Sequence, residues 1–310
     1  MMQGMTQSTS RISVPDDSWV EALTDLSDRV EIVVWESDSA QPDGHLDLVL
    51  RPYTLDAEVL RTIDASRVGL VQSQGLGYDG VADALPAGGA YANAVGVHEA
   101  STAELAMALA LASLRHIDEY VRAMPAGAWE PRWTSSLIDR RVMLLGVGGI
   151  GRELYKRLGG FDAEIVRVGA TARDDEHGHV HATSELHDLL PTVDIVIVAV
   201  PLTADTTGMV GDAFLAALPE GALVVNVARG KVVDTDAVLR AQGRIRFAAD
   251  VFDPEPLPAD HPLWGAPGVL ISPHVGGRSS AMRPRVERLV RNQIDRLLAG
   301  HEPDHVVVRT

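Results

Sequence analysis

Short apolar, β-branched runs separated by helical patterns recur along this chain, and the series starts twice. The first series reads VEIVVWE from Val30, LDLVLRP from Leu46, VGLVQSQ from Val68 and AYANAV from Ala90. LDAEVLRTI and DGVADALPA between them read as short helices. The second series reads RVMLLGVG, AEIVRVG, VDIVIVAVP, ALVVNVA, IRFAADVF and GVLISP. Strands that are apolar at nearly every position are buried on both faces, which is the situation of a parallel sheet covered by helices. Two such series predict an α/β chain with two doubly wound parallel-sheet domains. A chain of 310 residues also suits two domains.

Between the series, Glu99 to Met124 reads as one long helix. Ala and Leu fill nearly every side of its first half, so burial almost all round is expected, as in a linker between domains or a subunit interface. A last amphipathic helix over roughly Ser279–Ala299 ends in GHEPDHVVV and can pack back on the first domain. These readings give a first domain of residues 1–98 and 279–310 and a second of 99–278.

The net charge of −16 argues against nucleic acid as a partner. With no cysteine, thiolate catalysis and disulfides are excluded. MMQGMTQSTSR lacks the apolar region of a signal peptide, and LAMALALASL is too short to span a bilayer. A cytoplasmic chain without membrane partners is expected.

GVGGIG fits G-x-G-x-x-G through Gly146, Gly148 and Gly151, with Gly149 and Ile150 between. The pattern alone is weak, but here it follows the strand RVMLL and opens the helix GRELYKRL, the context a dinucleotide loop requires. Gly146 serves the tight turn, Gly148 the approach of a pyrophosphate, and Gly151 close helix–strand packing. An acidic residue for the ribose 2′-hydroxyl is expected about 20 residues on. This chain has Gly169 there, with Thr171 and Arg173 just beyond and Asp174 and Asp175 next. Loss of the acid removes repulsion of a 2′-phosphate and Arg173 can accept it, so NADP is expected over NAD.

Three residues follow strands of the same series: Arg229 after ALVVNVA, Glu255 in DVFDPEPLP and His274 after GVLISP. Ligands of open α/β sheets lie at the carboxyl ends of strands. Arg229 can hold a carboxylate through two parallel bonds. His274, its pKa raised by Glu255, can protonate a carbonyl oxygen as hydride arrives. This set suits reduction of a 2-oxo acid.

At these residues the chain resembles the D-isomer-specific 2-hydroxyacid dehydrogenases, of the glyoxylate/hydroxypyruvate reductase kind. SQGLGYDGVA, NAVGVHEASTAELAMALALASLR, LLGVGGIGREL, VAVPLTADTTGMVG, VVNVARGKVVDTDAV, AADVFDPEPLPADHPLW and ISPHVGG carry the resemblance. It implies a Rossmann cofactor domain, a flavodoxin-like outer substrate domain and a homodimer. It implies that Arg229, Glu255 and His274 are catalytic. It also implies that Leu76 and Gly77, with Arg229, bind a small 2-oxo or 2-hydroxy acid. The cofactor is placed against Val200, Pro201, Thr206, Ala228, Asp250 and Gly277. The stretch around AQGRIRF looks a few residues short for the family. Leu76 stands where phosphite-oxidising relatives have lysine, and Glu255 where formate-oxidising relatives have glutamine. A short phosphoglycerate dehydrogenase would need a basic cluster the first domain lacks, and a non-catalytic dinucleotide-sensing corepressor would not need the intact catalytic set. HGHVH from His177 alternates as a strand edge would, with three imidazoles on one side and ligands of the right type for a metal; it is read instead as a solvated loop, and no metal is expected. Trp129 and Trp133 are read as packing at the hinge in preference to one of them reaching the substrate cleft, and Arg51 as facing either a cleft or the surface.

Overall fold

The computed structural model describes residues 10–37, 39–53 and 56–310. The leading MMQGMTQST and Leu55, at the start of the LDAEVLRTI reading, lie outside the described residues. The chain divides into two compact units, one running to His98 and resuming at Ser280, the other Glu99–Ser279.

The first unit begins with β1 (Ser10–Val14), α1 (Asp17–Ala22), β2 (Val30–Val34), β3 (Leu46–Leu50), β4 (Val68–Gln72), α2 (Val81–Ala84) and β5 (Ala90–Ala92). β1 was not legible in the sequence: SRISV mixes Arg and Ser with two apolar residues, yet Ser13 is wholly buried between parallel neighbours. LDAEVLRTI forms a 3-10 turn over Ala57–Thr62. Arg51 is buried, not at the surface, and donates to the Asp56 carbonyl at 2.7 Å and the Tyr91 hydroxyl at 3.3 Å.

The second unit opens on α3 (Glu99–Leu114) and α4 (Ile117–Ala123), where the sequence suggested one continuous helix. The chain breaks between them at His116, whose φ is +52°. Arg246 holds this turn, donating to Ser113 Oγ at 3.0 Å and to the His116 ring at 3.1 Å. No glycine or proline marks the break; a tertiary contact makes it. Then follow β6 (Arg141–Leu145), α5 (Gly149–Leu158), β7 (Glu164–Gly169), β8 (Arg173–Asp175), β9 (Gly178–Ala182), α6 (Leu186–Leu189), β10 (Ile195–Val198), α7 (Asp212–Ala217), β11 (Leu223–Asn226), α8 (Thr235–Arg240), β12 (Arg246–Ala249) and β13 (Val269–Ile271). The connection from α8 to β12 is short and turns on Gly243 at φ +80°. Trp129 and Trp133, expected to pack, are almost wholly exposed.

The chain returns to the first unit with α9 (Met282–Leu298) and β14 (Val306–Arg309). Among the described residues the first sheet runs β14-β5-β4-β3-β1-β2, parallel except for β14 against β5. Its first five strands thus follow the flavodoxin order 2-1-3-4-5. One face packs Leu48, Leu50 and Leu70 against Val286, Val290 and Ile294 of α9. Buried Gln293 of α9 donates to Gln72 Oε1 at 2.8 Å, which fastens that helix to β4.

The second sheet runs β13-β12-β11-β10-β6-β7-β9-β8. Counting its parallel strands from β6 gives the Rossmann order 3-2-1-4-5-6 with a seventh added. Side chains alternate along each strand, so Ile195 and Ile197 face α3 and α5 while Val196 and Val198 face α7 and α8. Ala103, Ala106 and Ala110 give α3 a flat face against Leu144 and Val225. No helix among the described residues is long and apolar enough to cross a membrane.

Candidate active site

The strand order reverses between β6 and β10, and the loops at their carboxyl ends diverge there to open a crevice. The first of these loops is GVGGIG. Gly146 has φ +111°, and a Cβ on it would lie 2.5 Å from the Ala199 carbonyl oxygen. A Cβ on Gly151 would lie 2.1 Å from the Gly146 oxygen, so α5 closes directly on the strand end. A Cβ on Gly149 would strike Glu99 Cγ at 2.5 Å, which keeps the start of α5 against the start of α3. Ile150 packs toward the α3 side of the core. Gly148 differs from these: it caps α5, is exposed, and a Cβ there would meet nothing within 4 Å. Packing asks for glycine at three of the positions and leaves space at the fourth. That space lies before free N–H groups at the positive end of a ten-residue helix. These residues fit a dinucleotide pyrophosphate.

The ribose end is built from β7 and the β8–β9 hairpin. A Cβ on Gly169 would lie 3.1 Å from Arg173 Nη1 and 3.2 Å from Val180 Cγ1. The Arg173 guanidinium therefore stands where an acidic side chain would begin. Arg173 is exposed and its Nη1 donates to the Thr171 carbonyl at 3.3 Å; the Thr171 side chain is exposed as well. Both neighbouring acids are held elsewhere. Asp175 takes two bonds from buried Arg167, one of 2.7 Å to Nη1, and these hold its carboxyl well below the usual range. Asp174 pairs with His179 at 2.9 Å.

Across the crevice, Val200 is buried and Pro201 exposed. Buried Thr206 donates to the Pro201 carbonyl at 2.7 Å and accepts from Thr203 N–H at 2.8 Å, which sets the loop after β10.

Arg229 follows β11. Asn226, fully buried, shapes its turn: Nδ2 donates to the Arg229 carbonyl at 3.1 Å and Oδ1 accepts from the N–H of buried Ala228 at 3.0 Å. Next to it, a Cβ on Gly230 would lie 1.8 Å from the Phe252 carbonyl oxygen. Gly230 thus lets the Arg229 turn lie on the backbone that leads to Glu255. Sequence reasoning passed over both residues; the small residue directly after the arginine was the one available signal.

Glu255 Oε2 meets His274 Nδ1 at 2.6 Å, and Oε1 accepts from Phe252 N–H at 2.8 Å. Burial pushes the Glu255 pKa up, but the bonds from His274 and Phe252 and the charge of Arg229 outweigh it, so the net shift is downward. The bond from Glu255 raises the His274 pKa above its ordinary value; burial opposes this, and Asp250 adds to it. His274 is half-exposed and has φ +52°, a conformation non-glycine residues adopt mostly where surroundings enforce it. Here the enforcing group is Asp250. Its buried carboxylate accepts from Ser272 Oγ at 2.6 Å, Val275 N–H at 2.9 Å and Gly276 N–H at 2.8 Å, and its carbonyl accepts from His274 N–H at 2.8 Å. Gly277, also buried, continues that loop.

The structure thus brings Arg229, Glu255 and His274 onto the carboxyl ends of adjacent strands of one sheet. Leu76 and Gly77 belong to the other unit, in the loop after β4, where the Leu76 carbonyl accepts from Asn93 Nδ2 at 2.9 Å. Of the three imidazoles in HGHVH, His177 does not join the others: it lies in the hairpin turn, stacked on Tyr155 at 4.7 Å.

The family model for the NAD-binding domain of D-isomer specific 2-hydroxyacid dehydrogenases matches residues 107–276. The glyoxylate reductase of Pyrococcus horikoshii is 30% identical over 308 residues, 92% of this chain and 91% of that protein. That of Korarchaeum cryptofilum is 30% identical over 96% of this chain and 95% of its own. Among solved structures, the NADPH-dependent glyoxylate/hydroxypyruvate reductase of Sinorhizobium meliloti in complex with NADP and malonate is 28% identical. It superposes with a TM-score of 0.79, covering 97% of each chain. With the site's geometry and these likenesses in agreement, the chain belongs to the D-isomer specific 2-hydroxyacid dehydrogenase family, NAD(P)-dependent oxidoreductases that move a hydride between a nicotinamide and a 2-hydroxy or 2-oxo acid.

Proposed function

We propose that this chain reduces glyoxylate, hydroxypyruvate or a similarly small 2-oxo acid with NADPH, using Arg229, Glu255 and His274. The observation that carries this reading is the 2.6 Å bond between His274 Nδ1 and Glu255, beside Arg229. When bound, the reduced nicotinamide supplies the hydride. Arg229 holds the substrate carboxylate. His274, with Nδ1 committed to Glu255, offers the Nε2 proton to the carbonyl oxygen. Asp250 positions His274 through the loop it grips. In this reading the first unit is the substrate domain, contributing the loop at Leu76 and Gly77. The relatives' names support the substrate class.

The preference for NADPH rests on Arg173 standing at Gly169 while Asp174 and Asp175 are occupied by His179 and Arg167. A panel of 2-oxo acids run with both reduced cofactors tests the whole reading. Turnover of small 2-oxo acids with higher kcat/KM for NADPH is expected. No turnover across the panel would end it. In Arg173→Ala, kcat/KM for NADPH should fall by about ten- to a hundred-fold, the worth of a bond to a charged group, with NADH scarcely affected. An equal loss with both cofactors would remove Arg173 from cofactor selection.

We also propose a homodimer. Ile117, Val121, Met124, Trp129, Trp133 and Ile138 are all about half to fully exposed within one short segment of the second unit. Apolar exposure on that scale marks an association surface, and a second copy of the chain is the occupant that most oligomers of this kind supply. Sedimentation should show a dimer, with Met124→Glu and Trp129→Ser together giving a folded monomer. A monomeric wild-type chain at micromolar concentration would contradict it.

A further inference from the structure

The β8–β9 hairpin has two faces, and only one of them is taken up by the cofactor reading. Alternation along the strands puts Arg173 and Val180 beside Gly169. Asp174 and His179 are directly opposed in the antiparallel register, and His181 follows two residues on, so these three share the other face. There the His179 and His181 rings meet edge to face at 4.6 Å. Glu185, from the turn after β9, reaches back to His181 Nδ1 at 2.7 Å, while its other oxygen accepts from Ala182 N–H at 2.7 Å. One ligand atom from each of His179, His181 and Glu185 lies within 4.8 Å of the others. The sequence alone read this stretch as a solvated loop; what it could not show is Glu185 arriving beside the two imidazoles and Asp174 standing behind one of them.

We propose that His179, His181 and Glu185 form a binding site for a divalent transition-metal ion such as Zn²⁺ or Co²⁺. Two imidazole nitrogens, one carboxylate oxygen and a solvent-facing fourth position are a donor set such ions accept. Asp174 supplies the outer support found at many metal-bound histidines: its carboxylate accepts a hydrogen bond from His179 Nδ1–H, which leaves the Nε2 lone pair free to ligate. The proton between His181 Nδ1 and Glu185 Oε2 is the one the ion replaces, released to solvent. Bonds of about 2.1 Å to both atoms at a tetrahedral angle place them roughly 3.4 Å apart, so the 2.7 Å seen here must open by about 0.7 Å. The residual adjustment falls on partly exposed side chains, which can rotate. Asp174 and Glu185 bring two negative charges to the ion. The ion would fasten β9 to the turn over Thr183–Glu185 and so stiffen the hairpin that carries Arg173.

The test is calorimetric titration of untagged, metal-stripped full chain with Co²⁺ and then Zn²⁺ alone, joined to the visible spectrum of the Co²⁺ form. One ion per chain is expected, with a Co²⁺ spectrum indicating nitrogen ligation. The His179→Ala, His181→Ala double variant should lose that binding. Asp174→Asn should weaken it by about 10–100-fold, and His177→Ala should leave it unchanged. Circular dichroism of the stripped variants establishes that they fold. Absence of saturable binding, or equal binding by wild type and the double variant, would overturn the proposal.

Discussion

Replacing His274 by Ala is expected to lower kcat for 2-oxo acid reduction by about 10²–10⁴-fold, the usual worth of a positioned general acid. The dissociation constant of the reduced cofactor should not change, because the pyrophosphate cradle at Gly146–Gly151 does not involve the imidazole. Steady-state kinetics and cofactor fluorescence titration check the two halves. The partner substitution, Glu255→Gln, tests the electrostatics. Reduction requires the imidazolium. Its pKa is raised by Glu255, so the rate holds below that raised value and falls as pH climbs through it. Without the carboxylate charge the falling limb should move to lower pH, toward the ordinary histidine value near 6.5. In the oxidative direction the neutral imidazole is required, so the sign reverses and the rising limb moves the same way. A limb that stays in place in Glu255→Gln would assign the titration to another group.

The second large effect separates two glycines by what surrounds them. In Gly230→Ala the new Cβ would sit 1.8 Å from the Phe252 oxygen and 1.9 Å from its carbonyl carbon. Both are backbone atoms, so no side-chain rotation relieves the overlap, and the Arg229 turn must lift off the segment leading to Glu255. A stability loss of about 3 kcal/mol or more is expected, together with loss of turnover. Gly148→Ala adds the same methyl group to open space and should cost only the small loss of a poorer N-cap, about 1 kcal/mol or less. It should instead weaken cofactor binding by at least about ten-fold. Thermal melting and cofactor titration of the two variants distinguish a glycine kept for packing from one kept for a ligand. If Gly148→Ala bound cofactor normally, the pyrophosphate would have to lie elsewhere.

Those two glycines also show what the sequence could and could not convey. Buried parallel strands announce themselves as apolar runs, so VDIVIVAVP and ALVVNVA are found at sight, and with them the residues that stand at their ends. Arg229, Glu255 and His274 were legible for that reason. Gly230 was not, because its constraint is the carbonyl of Phe252, 22 residues away in sequence. The break at His116 depends on Arg246 from another strand. The hairpin of Arg173–Asp175 and Gly178–Ala182 is made mostly of polar residues held by cross-strand pairs, with Val180 its one large apolar side chain, which leaves little periodicity to read. Trp129 and Trp133 misled in the opposite way: large aromatic side chains suggest burial, and here they are exposed.

The pairing of β14 with β5 has a consequence for how the chain comes into being. Thr310 N–H bonds the Gly89 carbonyl, and Gly88 N–H bonds the Thr310 carbonyl, so the edge of the first sheet is completed by residues more than two hundred positions downstream. The second unit is one uninterrupted stretch, Glu99–Ser279. A ribosome therefore releases everything the second unit needs before it releases α9 and β14. Domains fold as units during synthesis, and loop closure over so long a span is slow. The later stretch of sequence is thus set to mature first, while the earlier one waits, its β5 edge open, for α9 and β14 to be made.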